Sequence, residues 1–273
     1  MARKVLIKVG GETIASRAGR ERLCIDLAAV RASGADVAVV HGGGPQATEI
    51  GRRLGVEPQF RGGRRVTDES TLEVVEMVLV GLIGTDLLAT ALGCGLPAVA
   101  FTAGAGRLVQ GVRRPPRQVG GEANLVDFGH VADIDRVDGA LLEALWVGGF
   151  VPFISPLVVD AAGHVLNLNA DTLASGLAQS LRFDDVVYMT GVPGVYGELG
   201  RPETHLAEVR RDEIAGLIAR GAVRDGMIAK LEEIGTLLDA GVETVWIVGF
   251  DEEMAISSAL AGLTGLRTAI RKR

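Results

Sequence analysis

Among the 28 cationic side chains of this chain only four are lysine, Lys4, Lys8, Lys230 and Lys272, and arginine takes every other position. An ammonium is a compact point charge on a flexible stem. It can follow charge that moves between phosphate oxygens, whereas a guanidinium is a planar fork suited to a static carboxylate. Lys4 and Lys272 stand near the chain ends, where solvation alone accounts for them. Lys8 closes the apolar run Val5-Leu6-Ile7 and is followed by Val9-Gly10-Gly11, and Lys230 closes Asp225-Gly226-Met227-Ile228-Ala229. Both placements point to phosphoryl transfer.

Glycine-rich turns recur after apolar runs: Gly10-Gly11, then His41-Gly42-Gly43-Gly44-Pro45, then Gly191-Val192-Pro193-Gly194-Val195. In an open α/β sheet ligands bind outside the carboxyl ends of the strands, so these loops should line one crevice. Glycine lets backbone N–H groups approach anionic oxygens, and a helix starting at Pro45 adds its positive end. Two other groups of residues could do chemistry. Arg65, in Gly63-Arg64-Arg65-Val66-Thr67, could grip a carboxylate through two parallel hydrogen bonds, although a surface ion pair is an equal alternative. Asn167-Leu168-Asn169-Ala170-Asp171 sets two amides and a carboxylate at a loop-to-helix junction, with Asp171 the expected N-cap, a role compatible with orienting ammonium groups.

Several chemistries are excluded by inspection. No lysine follows a glycine, so there is no Walker loop, and no serine stands in G-x-S-x-G. Gly42-Gly43-Gly44-Pro45-Gln46-Ala47 satisfies a dinucleotide fingerprint, but Asp68, the acid downstream, ends no apolar strand. His41, His130, His164 and His205 have no zinc spacing and read as structural or solvent-facing. Cys24 and Cys94 read as reduced thiols, and with them a cytoplasmic protein is expected. A net charge of -6 without long basic blocks argues against nucleic acid as partner. The first residues lack a signal peptide's pattern, and no segment reads as long enough to cross a membrane.

What positions these residues is an alternation of short β-branched runs and longer amphipathic ones, the pattern of parallel strands joined by crossover helices. Strands are expected at about 4–9, 36–41, 97–102, 151–158, 185–190 and 244–249. Helices are expected near 20–33, 45–54, 70–93, 136–148, 171–181, 210–220, 226–240 and 252–261, with Gly34 and Gly241 as stops. Apolar residues of both parities, as in Val37-Ala38-Val39-Val40, indicate strands covered on both faces. The 71–92 segment is apolar nearly all round from Met77 to Ile83, which suits either a core helix or one shared with a second subunit. Residues 103–130, rich in Gly, Arg and Pro, read as an exposed hairpin region.

Taken in order along nearly the whole chain, Lys8-Val9-Gly10-Gly11, His41-Gly42-Gly43-Gly44-Pro45, Arg65-Val66-Thr67-Asp68, Asn167-Leu168-Asn169-Ala170-Asp171, Val192-Pro193-Gly194-Val195 and Asp225-Gly226-Met227-Ile228-Ala229-Lys230 resemble the amino acid kinase family. Within that family the similarity is to the branch that phosphorylates N-acetyl-L-glutamate in arginine biosynthesis. The resemblance implies an open αβα sandwich with a mainly parallel central sheet, the carbamate kinase-like fold. It implies one domain over 1–273, with an N-lobe (1–180) for the acyl amino acid and dimer contact and a C-lobe (181–273) for ATP. Lys8 and Lys230 would flank the transferring phosphoryl group, with Asp171 holding them in register. Gly11, Gly43 and Gly44 would supply N–H groups to the phosphoryl and the attacking carboxylate, and Arg65 and Asn167 would grip the substrate α-carboxylate. Gly10, Gly11, Thr190, Gly191, Val192, Gly194, Val195 and Met227 would surround the nucleotide. Mg2+ would be held mainly by the nucleotide phosphates, with no protein metal ligands.

Some residues depart from the family pattern. Gly191 stands where relatives commonly carry aspartate, which touches nucleotide contacts and leaves room for a non-catalytic sensor of the same fold. Phe101-Thr102-Ala103-Gly104-Ala105-Gly106 replaces a more usual glycine-serine form. The basic loop at Arg113, Arg114 and Arg117 is similar to that of a related kinase acting on aminoadipate attached to an acidic carrier protein, although that kinase usually has serine where Gly44 stands. A homodimer through the 71–92 helix is expected. With the first strand beginning by about residue 4, insensitivity to arginine is expected as well.

Overall fold

All six apolar runs enter one sheet. The computed structural model describes residues 2–119, 124–224 and 226–272, so Asp225 of the second lysine motif lies outside the described residues. The sheet's strands are β1 (Lys4–Val9), β2 (Asp36–His41), β3 (Ala98–Thr102), β4 (Val151–Ser155), β5 (Asp185–Thr190), β6 (Glu208–Arg210), β7 (Thr244–Gly249) and β8 (Arg267–Arg271). Their spatial order is β6-β8-β7-β5-β1-β2-β4-β3, and all neighbours are parallel except β7 and β8. Strands from before residue 156 thus fill one half of the sheet and those from 185 onward fill the other. The halves meet where β1 pairs with β5.

Both faces of the sheet are buried because side chains alternate and both parities are apolar. The helices are α1 (Arg17–Ala32), α2 (Gly44–Arg53), α3 (Glu69–Gly93), α4 (Ala140–Val147), α5 (Ala170–Leu181), α6 (Ile214–Ala219), α7 (Gly226–Asp239) and α8 (Ala255–Leu260). Val5, Ile7, Val39 and Phe153 pack with Leu27 of α1, Leu79 of α3 and Ile256 of α8. Leu6, Val40, Ile154 and Tyr188 pack on the other side with Leu142 of α4, Leu173 and Leu177 of α5, Leu217 of α6 and Leu231 of α7. Each fully buried aliphatic side chain is worth roughly 1.5–3 kcal/mol. The result is the expected αβα sandwich. Gly34 and Gly241 end α1 and α7 with φ of 87° and 106°, left-handed values that glycine adopts without Cβ strain.

Four expectations are corrected. The helix expected over 136–148 begins only at Ala140, because Ala132–Val137 is a strand paired antiparallel with Val109–Arg113. These two, with Leu157–Val159 and Val165–Asn167, form a second, four-stranded sheet. Residues 103–130 are therefore only partly an exposed hairpin: Leu108 and Val109 are buried, and Gly111 has no room for a side chain against Val158. The 151–158 run breaks after Ser155, and its second part joins this smaller sheet. Finally, α3 is one helix of 25 residues, long and apolar enough by length and composition to cross a membrane. Its buried face, Val74, Val75, Val78, Leu79, Ile83, Leu87 and Ala91, belongs to the core. Between Met77 and Gly84 its turns widen to π geometry.

Candidate active site

Alternation along β1 places Lys8 on the same face as Leu6, toward α5 and α7. In register beside Lys8 is Tyr188 of β5. The Lys230 ammonium, from the first turns of α7, lies over the Tyr188 ring at 4.7 Å from its centroid, a cation–π contact. The two ammonium groups therefore sit together at the carboxyl ends of the two central strands. Asp171, in the first turn of α5, meets Lys8 Nζ at 2.8 Å through Oδ1. Asp171 is not the N-cap: Asn169 is, with φ −65° and ψ 133° and its Oδ1 accepting from the N–H groups of Asp171 and Thr172. With the cap supplied two residues earlier, the Asp171 carboxylate is free to face the lysines. Burial pulls the Lys230 ammonium below its usual range; Asp171 opposes the shift, Lys8 adds to it and Glu233 opposes it.

The glycine turns meet beside this pair. Gly42 N–H donates to the Val9 carbonyl at 2.9 Å, and Gln46 Nε2 donates to the Gly11 carbonyl at 2.7 Å. The His41 ring, fully buried, fixes the loop from below. Its Nδ1 lies 2.9 Å from the Gly42 carbonyl, an acceptor only, so Nδ1 carries the proton and Nε2 accepts from Ser155 Oγ–H at 2.9 Å. Burial lowers its pKa to about 4. Gly43 is a packing requirement, since a Cβ there would stand 2.4 Å from Ile83 Cδ1 and 2.5 Å from Leu79 Cδ2 of α3. A Cβ on Gly10 or Gly44 would meet nothing within 4 Å, so protein packing does not explain either glycine.

From Gly44 a chain of contacts runs back to Asp171. Arg65 donates to the Gly44 carbonyl at 3.0 Å and to Thr48 Oγ1 at 2.7 Å, with its guanidinium over the Phe60 ring. Burial lowers its pKa. Two residues on, Thr67 Oγ1 accepts from Asn167 Nδ2 at 3.2 Å, and Asn167 leads through Asn169 into α5. Gly43, Gly44, Arg65 and Asn167 are thus gathered on the N-terminal half of the sheet, with Lys8 and Asp171 at its inner edge.

The remaining expected residues lie on the other half. Thr190 ends β5 and its Oγ1 donates to the Val192 carbonyl at 2.5 Å; Val195 N–H donates to Thr268 Oγ1 at 2.8 Å. Gly194 is held between His205 and Thr268, where a Cβ would approach His205 Nε2 to 2.6 Å. Val192 is exposed and Met227 half-buried at the start of α7. Beside Gly191 there is room for a side chain, and a Cβ there would lie 3.6 Å from Glu12 Oε2. A carboxylate from the first glycine turn therefore faces this position across the sheet's midline.

A model of the amino acid kinase family matches residues 3–249. The chain belongs to this family. Among similar family members, an acetylglutamate kinase of Anaeromyxobacter dehalogenans is 40% identical, over 90% of this chain and 91% of the relative. One of Methanocella arvoryzae is 35% identical over 97% of this chain and 89% of the relative. Solved structures share the fold. An N-acetylglutamate synthase from Neisseria gonorrhoeae, complexed with coenzyme A and N-acetyl-glutamate, superposes with a TM-score of 0.82 at 21% identity, covering 99% of this chain and 60% of that one. A carbamate kinase from Giardia lamblia bound to AMP-PNP superposes with a TM-score of 0.72 at 18% identity, covering 100% and 99%.

Sequence reasoning passed over several side chains that this amino acid kinase places at the site. Gln46 and His41 were legible only as parts of a glycine motif. Tyr188, Ser175 and Glu233 belong to no motif that sequence analysis singles out. Glu233 accepts a hydrogen bond from Ser175 Oγ. Burial raises its pKa, with Ser175 opposing the shift and Asp171 adding to it.

Proposed function

We propose that this protein transfers the γ-phosphoryl group of ATP to the side-chain carboxylate of N-acetyl-L-glutamate, giving N-acetylglutamyl 5-phosphate and ADP, a step of arginine biosynthesis. The observation that carries this reading is the convergence of Lys8 and Lys230 on one side of Asp171, between two sets of glycine turns. The names of the similar family members support the choice of acceptor.

The attacking group needs no base, because a carboxylate with a pKa near ~4.3 is already ionised at neutral pH. An O–P bond forms at the carboxylate as the bond to the leaving ADP oxygen breaks, and negative charge moves from one end of the line to the other. Alignment and neutralisation of that charge are what the protein supplies. Lys8 follows the phosphoryl group from the substrate side, Lys230 follows it from the side of departing ADP, and Asp171 keeps the ammoniums from repelling each other apart. Backbone N–H groups of Gly11, Gly43 and Gly44 donate to phosphoryl and carboxylate oxygens. Arg65 and Asn167 hold the α-carboxylate within the 1–180 half. Gly10, Thr190, Gly191, Val192, Gly194, Val195 and Met227 enclose the nucleotide within the 181–273 half. Among the described residues no three or more His, Cys, Asp or Glu side chains gather to hold a metal. Mg2+ carried in on the nucleotide phosphates would neutralise part of their negative charge.

We also propose a cytoplasmic homodimer formed through α3. Met77 and Leu82 are exposed on this helix and give it an apolar outer stripe, and both cysteines are free thiols. An acidic carrier protein at the 113–117 loop is the weaker reading, because its arginines are engaged: Arg113 with Asp127 at 3.2 Å, Arg114 with Asp133 at 2.9 Å, and Arg117 also with Asp133. The test is ATP turnover with N-acetylglutamate, aminoadipate derivatives, glutamate and aspartate side by side, with the acyl phosphate trapped by hydroxylamine. Selective turnover of N-acetylglutamate is expected, and preference for another acceptor would replace this reading.

A further inference from the structure

Lys8 and Asp171 come from one half of the sheet and Lys230 from the other, so catalysis requires something that fixes their separation. Lys8 is held by its 2.8 Å contact with Asp171. Lys230 makes no ion pair among the described residues; its ammonium rests on the flat face of Tyr188, which does not fix its position along the ring. The restraint must act on the helix that carries it.

The spacing along the two helices shows where. Ser175 lies one turn beyond Asp171 on α5, and Glu233 one turn beyond Lys230 on α7, so each pair shares a helix face. Ser175 is 9% exposed, and its Oγ donates to Glu233 Oε1 across the helix–helix contact. One hydrogen bond therefore joins these helices directly, Ser175 with Glu233, one turn below the cleft where Asp171 meets Lys8 and Lys230 lies over Tyr188.

We propose that Glu233 is a positioning residue for phosphoryl transfer: hydrogen-bonded to Ser175 one turn below the Lys8–Asp171 pair, it locks α7 to α5 and so sets where the Lys230 ammonium meets the transferring phosphate. The charged and titratable groups around it are Lys8 from β1, Asp171 from α5, Tyr188 from β5 and Lys230 from its own helix. Ionised, Glu233 accepts from Ser175 and offsets part of the lysine charge. Protonated, it keeps a carbonyl oxygen that can still accept from Ser175 but no longer offsets the lysine charge. Because burial raises its pKa, that negative charge is lost on the acid side at a higher pH than for an exposed glutamate.

The inference rests on the kinase reading. Its test compares wild type, Glu233→Ala, Glu233→Gln, Ser175→Ala and the Ser175→Ala/Glu233→Ala double variant, as full chains, for kcat, both KM values, the pH profile of kcat and thermal melting. A sub-ångström to 1 Å displacement of Lys230 predicts a kcat loss of roughly 10- to 100-fold for Glu233→Ala, with KM for N-acetylglutamate nearly unchanged. Glu233→Gln, which still accepts from Ser175, should recover most of the kcat and lack the acid-side inflection of wild type. Ser175→Ala and Glu233→Ala should not add in the double variant. Additive single effects, a Gln variant no better than Ala, or losses confined to melting temperature would overturn the positioning role while wild type stays active. An inactive wild type would instead sink the kinase reading and this inference with it.

Discussion

Acidification should destabilise this protein through His41, and the size of the effect follows from the structure. Buried beneath the second glycine loop, the ring is neutral, with Nδ1–H on the Gly42 carbonyl and Nε2 accepting from Ser155. Its pKa of about 4 when folded lies below the usual imidazole value of about 6.5. A depressed folded-state pKa means stability that is present above the unfolded value and lost as pH falls toward the folded one. Linkage over these two values gives a loss of about 2 kcal/mol between pH 7 and pH 5, and about 3 kcal/mol once pH is well below 4. On protonation Nε2–H can donate to Ser155 Oγ, whose own proton can turn to the Leu79 carbonyl at 3.4 Å, so hydrogen bonds survive. What is lost is hydration of the charge, the larger effect in a site this buried. Urea unfolding of wild type and His41→Asn at the two pH values isolates the term. Asparagine retains a donor near Nδ1 and does not titrate, so the wild type should lose about 2 kcal/mol more than the variant. Equal losses in both proteins would refute the assignment of a buried neutral His41.

Lys8→Arg and Lys230→Arg should each lose about 100-fold or more in turnover although charge is kept, because the cleft beside Asp171 is shaped for a point charge; near-normal kcat in both would refute their roles. Gly44→Ala should fold normally, as a Cβ there meets nothing, yet raise KM for N-acetylglutamate; unchanged KM would remove Gly44 from the substrate site. Gly43→Ala should lower stability by about 1–3 kcal/mol, read by thermal unfolding, since Leu79 and Ile83 must give way. Leu82→Glu should convert a dimer to a monomer by light scattering, whereas a monomeric wild type would end the proposal for α3.

Much of the fold was legible because parallel strands covered on both faces are written as unbroken β-branched runs. β1, β2, β5 and β7 fall where those runs predict, and glycine turns mark their ends. The strands Val109–Arg113 and Ala132–Val137 were not legible, since each is stabilised by a partner distant in sequence and polar residues such as Gln110, Asp133, Asp135 and Arg136 leave no unbroken apolar run. The capping of α5 was ambiguous for a different reason. Asn169 and Asp171 are both good N-caps by type, and only the extended backbone at Asn169 decides between them.

The sequence by itself determined which chemical groups are present and at which strand ends they emerge: ammoniums instead of guanidiniums, glycines where backbone must meet anions, an acid at a helix start. Those follow from local residue type and period. Tertiary structure alone decided that Lys8 and Lys230, 222 positions apart in the chain, come together near Asp171, and that Ser175 and Glu233 join their helices beneath them. Register between β1 and β5 and the packing of α5 against α7 set those distances, and both depend on contacts between segments that no local pattern encodes.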